Sequence, residues 1–352
     1  MSAVFAENES LWFHLRIRFM HWLPFSSPAS KKTCLSPRAE VHLLHMLTHE
    51  QLEEPQGPYL DCLSATQPLL LCIMSAPDDS RIRIIELVSR GSYGDVYKGW
   101  DETNKCLVAV KQIKRGLELV ANEAEALSRI DHEGVPRLHL SSPEILIMEY
   151  VEGQDLLSLL QNQSFDEGRT RHIFRQLCSI AQHYMSAGII HHDLKLENIL
   201  IGDGDKVTLV DFGLCELYSQ RRRSNRFLSK LLPGYKSMKS NQWGGSQPYR
   251  SPELIRKRPK YNANKAEVWA LGVILYCMTF GVFPFSESER QDFTQGLSRH
   301  HPDVRIVNGR CSRELQSLIR KMLRVPPEDR ITVDEVLVHP WLCKEDLGLG
   351  EI

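Results

Sequence analysis

Between Ile190 and Leu200 the chain reads Ile-His-His-Asp-Leu-Lys-Leu-Glu-Asn-Ile-Leu, and eleven residues after Leu200 comes Asp211-Phe212-Gly213. Asp193, Lys195, Asn198 and Asp211 therefore fall close together along the chain, beside apolar, strand-like runs. Two carboxylates, an amide and an ammonium are the groups needed to hold Mg²⁺ and a triphosphate beside a hydroxyl nucleophile. Any one of these aspartates alone would be as well explained as a turn cap.

A second set lies upstream. Ser89-Arg90-Gly91-Ser92-Tyr93-Gly94-Asp95-Val96 carries two glycines, which let backbone approach phosphate oxygens and aim N–H groups at them. An ordinary hairpin accounts for two glycines equally well, so position has to decide. Lys111 follows Gly94 by seventeen residues and ends Val108-Ala109-Val110-Lys111. In a strand Ala109 and Lys111 share one face while Val108 and Val110 take the other. A lone strand lysine is usually a snorkelled surface residue. Glu123 argues otherwise: the spacing predicts a helix over 117–130, with Glu123 on the same stripe as Val120, Leu127 and Ile130. A carboxylate on a buried face needs a cationic partner. Its neighbour Glu125 points to solvent.

The elements that would position these groups can be read around them. Ile82, Ile84 and Val88 alternate with polar residues as in a half-buried strand, and Leu107–Gln112 forms another. Beyond the hinge-like Met148–Gly153, apolar residues recur at helical spacing, and no internal repeat is visible. The 352 residues allow one two-lobed catalytic domain and an extension, and 42% hydrophobic residues exclude wholesale disorder. A net charge of −1 gives no reason to expect nucleic acid as a partner. Nine cysteines without a C-x-x-C pair suit a reducing compartment. The apolar run Leu69–Met74 is too short to cross a bilayer, so a soluble intracellular protein without a transmembrane segment is expected.

Residues 1–79 differ in character. Leu11–Phe25 is apolar and basic, open to reading as a membrane-surface helix, a partner-binding segment, a targeting peptide or a loosely ordered tail. Met74 also leaves open a start just before the domain.

In their order and spacing these motifs resemble those of the protein kinase superfamily, over about residues 80–345. The resemblance implies an α+β, bilobal protein kinase fold: a small antiparallel β-sheet N-lobe with one main helix, and a larger, mainly α-helical C-lobe. The implied bounds are a poorly ordered extension over 1–79, an N-lobe over 80–147, a hinge over 148–153, a C-lobe over 154–345 and a tail over 346–352. It implies Asp193 as the base toward a substrate hydroxyl, Lys195 facing the transferred phosphate, Lys111 on the α/β phosphates with Glu123 as its partner, and Asn198 and Asp211 as Mg²⁺ ligands. Phe212 would pack beneath the Glu123 helix. ATP would lie against Val88, Ser89, Gly91, Gly94, Val96, Ala109, Met148 as gatekeeper, Glu149, Val151, Asp155 at the ribose, and Leu200. The Asp193-x-Lys195 spacing and Gly245–Glu253 resemble the serine/threonine form, with Ser246 bonded to Asp193 and Lys195 and Glu253 paired with Arg330. The ending from Glu328 to Trp341 is similar to the calmodulin-dependent and AMP-activated branch, although the chain stops at Ile352 without a calmodulin-binding tail.

The sequence departs from the family pattern at three places. Ser89 stands where the first glycine is usual. His192 precedes Asp193 in place of an arginine, whose bidentate fork grips an activation-loop phosphate; an imidazole has no such fork, so activity independent of that phosphate is expected. Glu267 replaces an aspartate and is expected to loosen its contact with the catalytic-loop backbone while keeping the charge. The activation segment, Asp211–Glu253, is long, and Arg221–Ser240 has seven Lys/Arg and no acidic residue. It suits a solvated insert, or a docking or autophosphorylation loop with Ser224 or Ser229 as acceptor. The expected activity is Mg²⁺- and ATP-dependent phosphorylation of Ser/Thr in protein substrates, by a cytoplasmic monomer with the nucleus as a further location. Glu197 and Asp155 suggest a basic motif upstream of the acceptor. The rivals are a pseudokinase that binds nucleotide or partners without transfer, and a small-molecule kinase of the same fold.

Overall fold

The structure is a computed structural model and describes residues 82–91, 94–114, 117–218, 238–242, 244–257, 259–290 and 311–344. The N-terminal extension 1–79, residues 221–237 of the basic insert with Ser224 and Ser229, and the tail 346–352 lie outside the described residues.

Five strands, β1 (Ile82–Arg90), β2 (Gly94–Asp101), β3 (Cys106–Ile113), β4 (Leu138–Ser141) and β5 (Ile145–Glu149), form an antiparallel sheet in the order β1-β2-β3-β5-β4. The β2–β3 hairpin is tight because Asp101 Oδ1 accepts the N–H groups of Thr103 and Asn104 at 2.8 and 2.9 Å. Lys105 then turns the chain with φ of 54°. At the other end, a Cβ on Gly94 would sit 2.2 Å from the Gln112 carbonyl oxygen, so only glycine lets β2 start so close to β3. The alternation expected of β1 holds for Ile82 and Ile84, which is half-buried between exposed neighbours, and fails at Val88. Ile85 and Leu87 are exposed on the opposite face, and after register shifts between Ile84 and Glu86 and between Leu87 and Ser89 Val88 is exposed as well.

Helix α1 (Leu117–Arg129) ends one residue short of its predicted boundary. Its Val120 packs with Ile113 and Leu146, joined by Ala124, Leu138 and Met148. The apolar stripe thus clamps α1 to the face of the sheet that carries Lys111.

The remaining elements are mainly helical. Helix α2 (Leu156–Asn162) is capped by Asp155, and α3 (Glu167–Ser186) by Asp166. Helix α4 (Ala263–Phe280) starts at the Asn262 cap, ends at Gly281 in the left-handed region, and is buried along nearly its whole length. Leu271, Ile274 and Leu275 are fully buried in α4, where a large-to-alanine change costs about 2–5 kcal/mol. Helix α5 (Arg313–Met322) is tied to α3 through Glu167, which accepts from Ser312 N at 2.8 Å, Ser312 Oγ at 2.6 Å and Trp341 Nε1 at 2.8 Å.

Short strands carry the loops between these helices. β6 (Gln154–Asp155), β8 (Ile199–Ile201) and β9 (Val207–Leu209) form one antiparallel sheet. β7 (Ile189–Ile190) pairs with β10 (Glu216–Leu217), and β11 (Lys239–Ser240) with β12 (Tyr261–Asn262). These pairs fix both ends of the catalytic loop and the described ends of the activation segment.

Candidate active site

Strand β3 and helix α1 bring Lys111 and Glu123 together. Lys111 Nζ lies 2.8 and 2.7 Å from the two Glu123 oxygens and 2.7 Å from Asp211 Oδ1. The side chains of Lys111 and Glu123 are 9% and 3% exposed, that of Asp211 45%. Burial alone would push Lys111 down, but the Asp211 and Glu123 carboxylates outweigh it and hold the ammonium above its usual range. Burial likewise acts to raise Asp211, yet Lys111 prevails and draws its carboxyl to about 2. Asp211 therefore stays ionised with an edge open to the cleft.

The catalytic loop leaves β7 through His191, which is fully buried. Its Nδ1 accepts the Asp193 N–H at 3.2 Å and its Nε2 lies 3.3 Å from the Val210 carbonyl, an arrangement that fixes the Nε2–H tautomer. Burial holds this imidazole below its ordinary range. Phe212 packs on His191 at 4.6 Å and edge-on to Tyr184 at 6.0 Å between centroids.

Asp193 is nine-tenths buried, and its carboxylate is held from both sides. Oδ1 accepts Ser246 N and Oγ, both at 2.9 Å, and Oδ2 accepts Lys195 Nζ at 2.8 Å. Ser246 and Lys195 thus meet at Asp193 through different oxygens. Burial acts to lower Lys195, but Asp193 outweighs it and keeps the ammonium charged. Gly245 precedes this contact with φ of 87°, and a Cβ there would lie 2.4 Å from the His192 carbonyl oxygen. Glycine is required at that position.

Asn198 donates its Nδ2 to the Asp193 carbonyl at 2.9 Å, which turns its amide oxygen into the ligand atom available to a cation. With the Asp211 carboxylate, the donor set is hard oxygen, which suits Mg²⁺.

The residues assigned to nucleotide contact line strands around this centre. Ala109 pairs with Met148, Val96 with Lys111, and Asp155 with Leu200. Leu200 is half-buried between the buried Ile199 and Ile201, and Val88, on a bulge of β1, is 50% exposed. Val96, Ala109, Met148 and Val151 are also half-buried, whereas Ser89, Gly91 and Glu149 are exposed. Asp155 has both oxygens engaged as the α2 cap, by Ser158 N at 2.8 Å and Ser158 Oγ at 2.7 Å.

Glu267 departs from expectation. The longer side chain does not loosen the catalytic loop: its Oε1 accepts His192 N at 3.0 Å, and Oε2 accepts His191 N at 3.3 Å and Tyr184 Oη at 2.6 Å. The added methylene lets a tyrosine from α3 reach the same carboxylate. Glu253 and Arg330 pair as expected, at 2.8 and 3.0 Å.

Two contributors went unread in the sequence. His192 Nε2 lies 3.0 Å from Glu216 Oε2, so the imidazole that replaces the family's arginine is engaged by a carboxylate of the chain itself. Tyr184 carries no local sequence signal for its bond to Glu267. Glu216 had one available signal, a lone acidic residue between Asp211-Phe212-Gly213 and the basic insert.

Comparison with known proteins places these features in context. The sequence profile of the protein kinase domain family matches residues 82–342. Human NUAK family SNF1-like kinase 2 is 30% identical over 278 residues, covering 74% of this chain and 40% of that protein. Mouse NUAK family SNF1-like kinase 1 is 29% identical over 276 residues, covering 74% and 38%. Mouse sperm motility kinase 2B is 32% identical over 269 residues, covering 74% and 51%. The chain spans about two fifths of the length of the SNF1-like relatives it matches.

Proposed function

The chain belongs to the protein kinase family, serine/threonine type and close to the AMP-activated branch, and from that premise we propose that it transfers the γ-phosphoryl group of Mg·ATP to Ser or Thr of protein substrates. The observation that carries this reading is the double hold on Asp193, by Ser246 at 2.9 Å and Lys195 at 2.8 Å, with Lys111, Glu123 and Asp211 joined nearby. Asp193 orients the acceptor hydroxyl and takes its proton as the new O–Pγ bond forms and the bond from Pγ to the β–γ bridging oxygen breaks, with ADP as leaving group. Lys195 faces the charge of the transferred group, and Lys111, held by Glu123, faces the α/β phosphates. Asn198 and Asp211 would hold Mg²⁺, which when bound neutralises charge on the β/γ phosphates. Positioning and charge stabilisation account for the rate, with little covalent work by the protein.

The test is transfer from Mg·ATP to a mixed protein substrate by the purified full chain, beside Asp193→Asn. Activity present in the former and reduced by about 10²–10⁴-fold in the latter supports the reading. Activity absent from the wild-type chain, or equal in both, overturns it.

We extend the proposal to substrate and setting. Glu197, which also accepts from Tyr249 Oη, and Asp155, whose oxygens cap α2, supply negative charge for a basic motif upstream of the acceptor, and a peptide library without preference for upstream arginine counts against it. A monomer in the cytoplasm, with access to the nucleus, completes the reading; sedimentation and fractionation test these two points.

A further inference from the structure

We infer that Tyr184 is a positioning residue for the catalytic loop, acting through Glu267 on the backbone that carries Asp193; the inference rests on the phosphotransfer reading above. Tyr184 is fully buried and Glu267 4% exposed. The phenol donates to Glu267 Oε2 at 2.6 Å, a length typical of a charge-assisted O–H···O⁻ bond. The same carboxylate accepts the peptide N–H groups of His191 at 3.3 Å and His192 at 3.0 Å, the two residues immediately before Asp193.

This loop needs a clamp because of its own geometry. His192 has φ of 65°, a left-handed conformation disfavoured for a residue with a Cβ and kept only where the surroundings enforce it. Gly245 packs against the His192 carbonyl from the other side. Between them, Glu267 and Gly245 hold the peptide groups on both sides of His192, and the orientation of Asp193 follows. Tyr184 fixes which way the longer Glu267 side chain reaches. Without the phenol, Glu267 gains rotamer freedom, the hold on the two N–H groups weakens, and His192 can relax toward negative φ and carry Asp193 with it. Tyr184 also packs edge-on to Phe212 and against His191, so its ring position is set independently of the hydroxyl.

The test exploits the left-handed residue. In the full chain, Tyr184→Phe is expected to lower kcat by about ten-fold with the KM for ATP unchanged. The loss is then measured again in His192→Gly and His192→Ala backgrounds. Both remove the imidazole, but only glycine tolerates positive φ without a clamp. The loss is expected to shrink to about two-fold or less with glycine and to persist with alanine. A loss equal in the two backgrounds, or no loss in kcat, overturns the positioning role. Should both His192 backgrounds be inactive, amide hydrogen exchange at His191 and His192 decides: faster exchange in Tyr184→Phe supports the clamp, and unchanged exchange overturns it. A wild-type chain silent toward Mg·ATP and protein substrates would overturn the phosphotransfer reading, and this role of Tyr184 with it.

Discussion

Lys111 Nζ lies 2.7 Å from Asp211 Oδ1 across a hundred residues of sequence, and the same ammonium is chelated by Glu123. One cation therefore couples the sheet, α1 and the Asp211-Phe212-Gly213 turn. Removing Glu123 leaves this buried cation with one partner that is itself half open to the cleft. Glu123→Ala is expected to lower stability by about 3–5 kcal/mol, read by urea denaturation, and to depress transfer. Glu123→Gln, which keeps an acceptor for Lys111, should cost less. Equal costs would mean that the lost charge alone, and not the retained acceptor or packing, sets the loss.

Arg330 and Glu253 form another deeply buried pair, at 0% and 2% side-chain exposure. The guanidinium meets both carboxylate oxygens and also donates to the Arg324 carbonyl at 3.0 Å. A lysine keeps the charge but cannot span that fork. Arg330→Lys is expected to destabilise by about 3 kcal/mol, the equivalent of one or two charge-assisted hydrogen bonds. A change within about 0.5 kcal/mol would show that charge alone suffices at this position.

The parts of the fold legible in the sequence were those where one residue type leaves little choice. Glu123 on an apolar helix stripe demanded a cation, and Lys111 supplied it. Gly245 before Ser246 was readable as part of a motif, while its need for a positive φ came only from the structure. Strand β1 followed its alternation at Ile82 and Ile84 but not at Val88, beyond two register shifts that hydrophobic spacing does not announce. Glu267 misled in another way. Comparing side-chain lengths suggested a looser contact, whereas the outcome depended on Tyr184, 83 residues away in sequence. Pairings made by long-range packing leave no local signature, and the Tyr184–Glu267 and His192–Glu216 contacts are of that kind.

Acid should act on the site through Asp211. Its folded carboxyl is drawn to about 2 by Lys111, below the unfolded value of about 3.9. A depressed carboxyl contributes stability that is complete above the unfolded value and is lost as pH falls through the folded one. The difference in Tm between wild type and Asp211→Asn is therefore expected to be constant above about pH 5 and to shrink between about pH 4 and 2. Lys111 has the opposite sign: raised in the folded state, it stabilises fully below the ordinary lysine range and less as pH climbs through its own. A Tm difference for Asp211→Asn that stays flat down to pH 2 would show that the ion pair adds nothing.

Glu216 bears on how the activation segment is held. The His192 side chain is 4% exposed and its Nε2 lies 3.0 Å from Glu216, while its Nδ1 is 3.4 Å from Tyr261 Oη, which donates to the Gln242 carbonyl at 2.7 Å. Burial acts to raise the Glu216 carboxyl, but the hydrogen bond from His192, with others from neighbouring side chains, holds it below the usual range, so the anion is present at neutral pH. A phosphate brought to His192 would meet this carboxylate and be repelled. We therefore expect phosphatase-treated protein to keep its transfer rate within about two-fold, and Glu216→Ala to lower it by about ten-fold. Loss of activity on dephosphorylation, restored by a single phosphate in the activation segment, would show that Glu216 does not replace that phosphate.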